Sequence, residues 1–116
     1  MPNLSVMAGL VPAISIPQTR RMRQYFVYIL ASRPGGALYV GVTGDLLSRV
    51  AQHKQGLVKG HTKRYGINKL VYFEQYADVR DAIQREKNMK HWPRVYKTRL
   101  IGQSNPTWRD LYDEMV

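Results

Sequence analysis

Six side chains in this sequence are of types that can work on a phosphate ester: Tyr28, Tyr39, Arg49, His53, His61 and Glu86. Cleaving a phosphodiester takes an activated water or hydroxyl, charge against the phosphorane-like transition state, and help for the leaving oxygen. An arginine suits the phosphate through its planar donor fork. A single carboxylate can hold one divalent cation for the remaining tasks, because Mg²⁺ keeps most of its waters and takes few protein ligands. Each residue also has a plainer use. Tyr28 and Tyr39 are good strand formers. Arg49 and His53 suit a solvated helix edge, and Glu86 can pair with Lys90 four residues on for about 0.3–0.5 kcal/mol. His53, His61 and His91, with no cysteine to help them, lack the dense ligand spacing of a zinc site.

These residues need elements to position them. Tyr25 to Ala31 is a nearly continuous β-branched and aromatic run, expected as a strand buried on both faces. Pro34-Gly35-Gly36 supplies a turn, and Leu38 to Thr43 returns as its antiparallel partner. Gly41 inside that strand marks a bulge or a close backbone approach. Asp45 is placed to cap a helix running to about Gln55, with Gly56 to stop it. Leu46, Leu47 and Val50 form its apolar stripe, and Arg49 and His53 share one border. Gly56 to Asn68 reads as a polar, basic loop, and Leu70 to Tyr76 as a third strand.

Asp78 opens a second helix that reaches about His91, where Pro93 interrupts the chain. Its stripe is Val79, Ala82, Ile83 and Met89, with Glu86 in the middle of that face. A carboxylate there needs a cation or a hydrogen-bonding partner, since burying it alone is costly. Arg94 to Ser104 is a third helix with Val95, Leu100 and Ile101 inward and Lys97 and Arg99 more exposed. Asn105-Pro106 breaks it, and Thr107 to Tyr112 suggests a final helical turn that docks Trp108. The order β-β-α-β-α-α predicts an α+β fold: a three-stranded antiparallel sheet flanked by helices.

The 116 residues make one domain. Residues 1–23 are expected to be a flexible extension with no charge before Arg20, and Met22 is an alternative start. Residues 24–104 form the domain proper, and residues 105–116 a docked helical tail. No apolar run approaches the roughly 18 residues of a membrane span, so no membrane partner is expected. The absence of cysteine excludes disulfides and thiol nucleophiles and suits a cytoplasmic protein. The net charge is +10, and all 18 lysines and arginines lie between Gln18 and Arg109 with only five acids among them. Such a surface attracts nucleic acid through counterion release and steering. Lys54, Lys59, His61, Lys63, Arg64, Tyr65, Lys87 and Lys90 are the expected contacts.

The combined pattern resembles the GIY-YIG nuclease superfamily. Phe26-Val27-Tyr28 is followed by Tyr39-Val40-Gly41, then by Arg49 and His53 on a helix, then by Glu86 within AIQREKNMK. The likeness spans roughly Gln24 to Ser104 and is nearest to small stand-alone bacterial members, akin to the GIY-YIG nuclease domain of the bacterial repair excinuclease. The first motif has Phe26 where the family has glycine, which costs backbone freedom but removes no catalytic group. The resemblance implies a metal-dependent endonuclease cleaving DNA, branched or damaged DNA among its candidate forms, in repair or processing. It implies that Tyr28 and Tyr39 point into one site, where a tyrosinate working with water on the metal generates the nucleophile. Arg49 then stabilises the scissile phosphate, His53 takes part in proton transfer, and Glu86 binds one Mg²⁺ or Mn²⁺. His61 is a substrate contact at most.

Two other classes compete. A DNA- or RNA-binding accessory module without turnover uses the same basic loop and Tyr65, and binds in a salt-sensitive, metal-independent way. A structural or interaction domain with incidental charge binds no nucleic acid even at low salt.

Overall fold

The three runs rich in β-branched and aromatic residues become the three strands of one sheet. A computed structural model describes residues 24–116; the expected extension and the alternative start at Met22 lie outside the described residues. The strands are β1 (Tyr25–Ala31), β2 (Leu38–Thr43) and β3 (Lys69–Tyr76). The sheet is antiparallel with order β2-β1-β3, so the apolar β1 is central and covered on both sides. The helices are α1 (Leu46–Lys54), α2 (His61–Tyr65), α3 (Val79–His91), α4 (Arg94–Ser104) and α5 (Tyr112–Met115). This is the α+β architecture expected. Among the described residues no helix is long and apolar enough to cross a membrane.

Alternation along β1 divides the core in two. Val27, Ile29 and Ala31 pack with Val40, Val71, Ala82, Met89 and Ile101, beneath α3 and α4. Tyr28 and Leu30 pack with Leu46, Val50, Ile67 and Leu70, beneath α1. Asp45 caps α1 by accepting a hydrogen bond from Ser48 N at 3.2 Å. Asp78 caps α3 in the same way through Arg80 N at 2.8 Å.

The structure departs from expectation in three of the helices. The expected loop 56–68 contains α2, whose Thr62 turns inward and whose end is released by Gly66 at φ 63°. Val79 and Ile83 are substantially exposed, so α3 buries a narrower stripe of Ala82, Glu86 and Met89. Val95, assigned inward, is 53% exposed, whereas Ile101 is buried on α4 as expected. Arg94 at the start of α4 is drawn to the hairpin turn, donating to the carbonyls of Gly35 (3.0 Å) and Gly36 (2.8 Å).

The irregularity sits in β3 rather than at Gly41. Ile29 pairs with Tyr72 and Leu30 with Leu70, which leaves Val71 as the extra residue of a bulge. Its carbonyl accepts a hydrogen bond from the buried Asn105 Nδ2 at 3.1 Å, and the same nitrogen donates to Arg109 O at 2.9 Å. Asn105 is thus more than a helix breaker: it nails the tail to the β3 edge. Asp110 continues the attachment by accepting from Leu70 N (3.0 Å) and Tyr112 N (3.1 Å). Trp108 then packs on the α3 side and Leu111, Tyr112 and Met115 on the α1 side.

Glu74 fixes how α3 lies on the sheet. Its carboxylate takes both forks of Arg85 (2.9 and 2.7 Å) and the hydroxyls of Tyr72 and Tyr76, and Arg85 lies 4.9 Å over the Trp92 ring. Burial works against the charged form, yet the Arg85 and tyrosine hydrogen bonds hold the Glu74 pKa below the usual carboxylate range. Glu74→Ala should lower the unfolding free energy in urea by about 2–4 kcal/mol, since it strands a half-buried guanidinium and two phenols. The exposed cap variant Asp78→Ala should cost clearly less. Equal costs for the two would contradict the clamp.

Candidate active site

Tyr28 lies directly across the β1–β2 ladder from Gly41. An added Cβ at Gly41 would stand 2.5 Å from both Cζ and Oη of Tyr28. The glycine therefore marks a close approach, with the tyrosine ring seated on bare backbone. Tyr39, two residues before Gly41, shares that face, its ring centroid 6.3 Å from that of Tyr28.

A phenol buried to 1% exposure needs a partner, and α1 supplies one. His53 Nε2 is 3.2 Å from the Tyr28 hydroxyl, and Nδ1 is 3.3 Å from Thr62 Oγ1 on α2. His53 is only 4% exposed, so it belongs to the inner face of α1 and not to the border expected for it. Burial, together with the Arg49 charge, lowers its pKa from 6.5 to about 4, and the ring is neutral at pH 7. Burial also pushes Tyr28 up to about 12, reinforced by Tyr39 and opposed by a hydrogen bond and charge from Arg49. The pair at rest is a neutral phenol and a neutral imidazole.

Arg49 is half-buried at the rim of this pair and donates from Nη1 to Gln52 Oε1 at 3.0 Å. Tyr39 is also half-buried, its ring 5.4 Å from the His53 ring. Glu86 is 9% exposed, and its Oε2 meets Lys90 Nζ at 2.7 Å. That pair stands beside the tyrosines: the Glu86 charge raises the Tyr28 pKa, and Lys90 is raised by Glu86 first and by Tyr39 last. Tyr28, Tyr39 and His53 are thus in contact, with Arg49 and Glu86 near enough for their charges to act on Tyr28.

The other expected contacts divide. Lys59, His61, Lys63, Arg64 and Tyr65 are exposed on and around α2, and Lys87 is exposed on α3. Lys54 is not a free surface cation. Its ammonium is held by Asp110, donates to Asn68 O at 3.0 Å and lies 5.1 Å over the Tyr112 ring. Lys90 is half-exposed but engaged with Glu86.

Residues 24–99 match the model of the GIY-YIG catalytic domain. The chain belongs to the GIY-YIG family. It is 38% identical over 82 residues to UPF0213 proteins of Staphylococcus aureus strains Mu3 and Mu50, covering 71% of this chain and 99% of each relative. It is also similar to the solution NMR structure of the UPF0213 protein BH0048 from Bacillus halodurans, at 25% identity and a TM-score of 0.48, over 75% of this chain and 92% of that one. The tail that Asn105 and Asp110 fasten to β3 lies beyond the matched GIY-YIG domain.

Among the described residues no group of three or more His, Cys, Asp or Glu side chains is placed to hold a metal. The donor set therefore fits only a cation that keeps most of its water, held through Glu86. The carboxylate is suited to that, being buried with one oxygen taken by Lys90 and no other protein hydrogen bond to it among the described residues.

Sequence reasoning missed Thr62, which satisfies the second ring nitrogen of His53 from nine residues away. A threonine in a basic stretch gives no periodic signal, and only the inward turn of α2 exposes its use.

The depressed His53 pKa has a consequence for stability. Between pH 6.5 and about 4 the unfolded chain binds a proton that the native state refuses. The contribution is therefore full above 6.5 and is lost as pH falls through that window, by about 2 kcal/mol at pH 4.5. Urea unfolding at pH 7 and 4.5 should show a smaller acid loss for His53→Gln than for the wild type. Equal losses would contradict a neutral, buried His53.

Proposed function

We propose that this GIY-YIG protein is an endonuclease that hydrolyses phosphodiester bonds in DNA, with one Mg²⁺ or Mn²⁺ held through Glu86. The observation that carries the reading is the buried hydrogen bond between Tyr28 and the neutral His53, with Arg49 beside it. A neutral imidazole has a lone pair that can take a proton for the duration of the reaction, and an arginine at its rim can meet the phosphate as charge builds up. Tyr39 is the more open of the two tyrosines, so it is the one that meets the attacking water. Tyr28 and His53 behind it form the neutral pair into which the water's proton can move.

Water oxygen forms the new bond to phosphorus, and the bridging ester oxygen leaves and takes up a proton. Arg49 stabilises the charge on the non-bridging oxygens. The cation on Glu86 would add positive charge at the leaving oxygen. The exposed cations around α2, with Lys87, hold the rest of the strand by its phosphates. Repair or processing of branched or damaged DNA is the setting that suits a small basic nuclease.

The Glu86–Lys90 ion pair favours a second reading. If Lys90 keeps the carboxylate, the protein is a DNA- or RNA-binding module without turnover.

Nicking and cleavage of duplex, single-strand, flap and four-way-junction DNA, with and without Mn²⁺, separates the two. Hydrolysis should require the cation, and Arg49→Ala and Glu86→Ala should each lower the rate about 100-fold or more with the circular dichroism spectrum unchanged. Cleavage that survives both substitutions would contradict the nuclease reading. Salt-sensitive binding with no cleavage under any condition would favour the second.

A further inference from the structure

α2 carries a surface that phosphate contacts alone do not explain. Five of its surrounding residues, Gly60, His61, Lys63, Arg64 and Tyr65, line an open groove of about 720 Å³, in the size range of small-ligand clefts. Tyr65 is 53% exposed. The His61 ring stands one turn before it, the centroids 4.9 Å apart and the planes tilted by 52°, so the two rings form adjacent walls of the groove. The Arg64 guanidinium lies 5.5 Å from the Tyr65 centroid, and Lys63 lines the same groove.

Cations would serve any polyanion, paired or not. An exposed aromatic wall serves only a base with a free face, and in a duplex both faces of a base are covered by its neighbours. The same helix reaches the proposed catalytic centre directly, because Thr62, between His61 and Lys63, turns inward and hydrogen-bonds His53. A base held at Tyr65 is therefore held by an element that is bonded to the site.

We infer that the His61–Tyr65 wall of α2 stacks an unpaired nucleobase while Lys63 and Arg64 hold its flanking phosphates, so that the preferred substrate carries a single-stranded segment next to the bond to be cut. The inference rests on the nuclease reading and sharpens its substrate class. In a fully paired duplex Tyr65 has nothing to stack on, and binding rests on cations alone. At an overhang, flap or gap the aromatic wall is engaged as well.

The test is fluorescence anisotropy of the full chain without divalent cation, so that no strand is cut. The probes are a blunt duplex and the same duplex with a short single-stranded extension carrying 2-aminopurine. The wild type should favour the extended probe about tenfold, the scale of one base–aromatic stack, and should quench the 2-aminopurine fluorescence. Tyr65→Ala should bring the ratio of the two affinities close to one and abolish the quench, and Tyr65→Phe should restore both. Lys63→Ala should weaken both probes alike.

Binding of both probes with equal affinity, or a preference that survives Tyr65→Ala with the quench intact, would overturn the inference and leave the nuclease reading standing. No binding to either probe at low salt would overturn both.

Discussion

The structure turns on one close approach, the Tyr28 ring seated on Gly41. Without a Cβ on β2 the ring can lie flat enough across the ladder to bury its hydroxyl. A buried hydroxyl without a partner costs free energy, so His53 has to come to it, and the second ring nitrogen of His53 then requires Thr62. One missing methyl group on β2 thereby ties the hairpin to α1 and α1 to α2. The same burial sets the chemistry. It drives the phenol up and the imidazole down, so both partners are uncharged at rest.

The second constraint acts from the opposite side of the sheet. Arg85 and Glu86 are consecutive on α3 and diverge by about 100° around the helix axis. Arg85 is clamped by Glu74 on the β3 edge, with Tyr72, Tyr76 and Trp92 around it. With Arg85 fixed, the rotation of α3 is fixed too, and Glu86 is delivered toward Tyr28 and Tyr39. Its partner Lys90 keeps the buried carboxylate paired, which a buried charge in this position requires.

Much of this can be read from the chain, and the limits have physical causes. β1 and β2 coincide with the expected segments because a dense β-branched run between turn residues has few alternatives. Gly41 is legible as a special position; that it serves a close approach and not a bulge depends on its partner across the ladder. His53 reads as a border residue, since a histidine on an apolar face is indistinguishable from one beside it until the tyrosine beneath is known. Periodicity points Val79 and Ile83 inward, but the Glu74 clamp rotates α3 so that Ala82, Glu86 and Met89 face the sheet. Lys54 reads as a nucleic-acid contact only when Asp110, more than fifty residues on, is left out of view. The α2 helix is hidden because five residues between glycines are too few to show a period.

The seat that Gly41 provides is reached most directly by the single-turnover cleavage rate of Gly41→Ala on folded protein. The added methyl must displace the Tyr28 ring and stretch its bond to His53, and a shift of about 1 Å in a catalytic group can cost about 100-fold. The rate should fall by about that factor while the circular dichroism spectrum stays native. A wild-type rate with alanine at position 41 would contradict the central role given to this close approach.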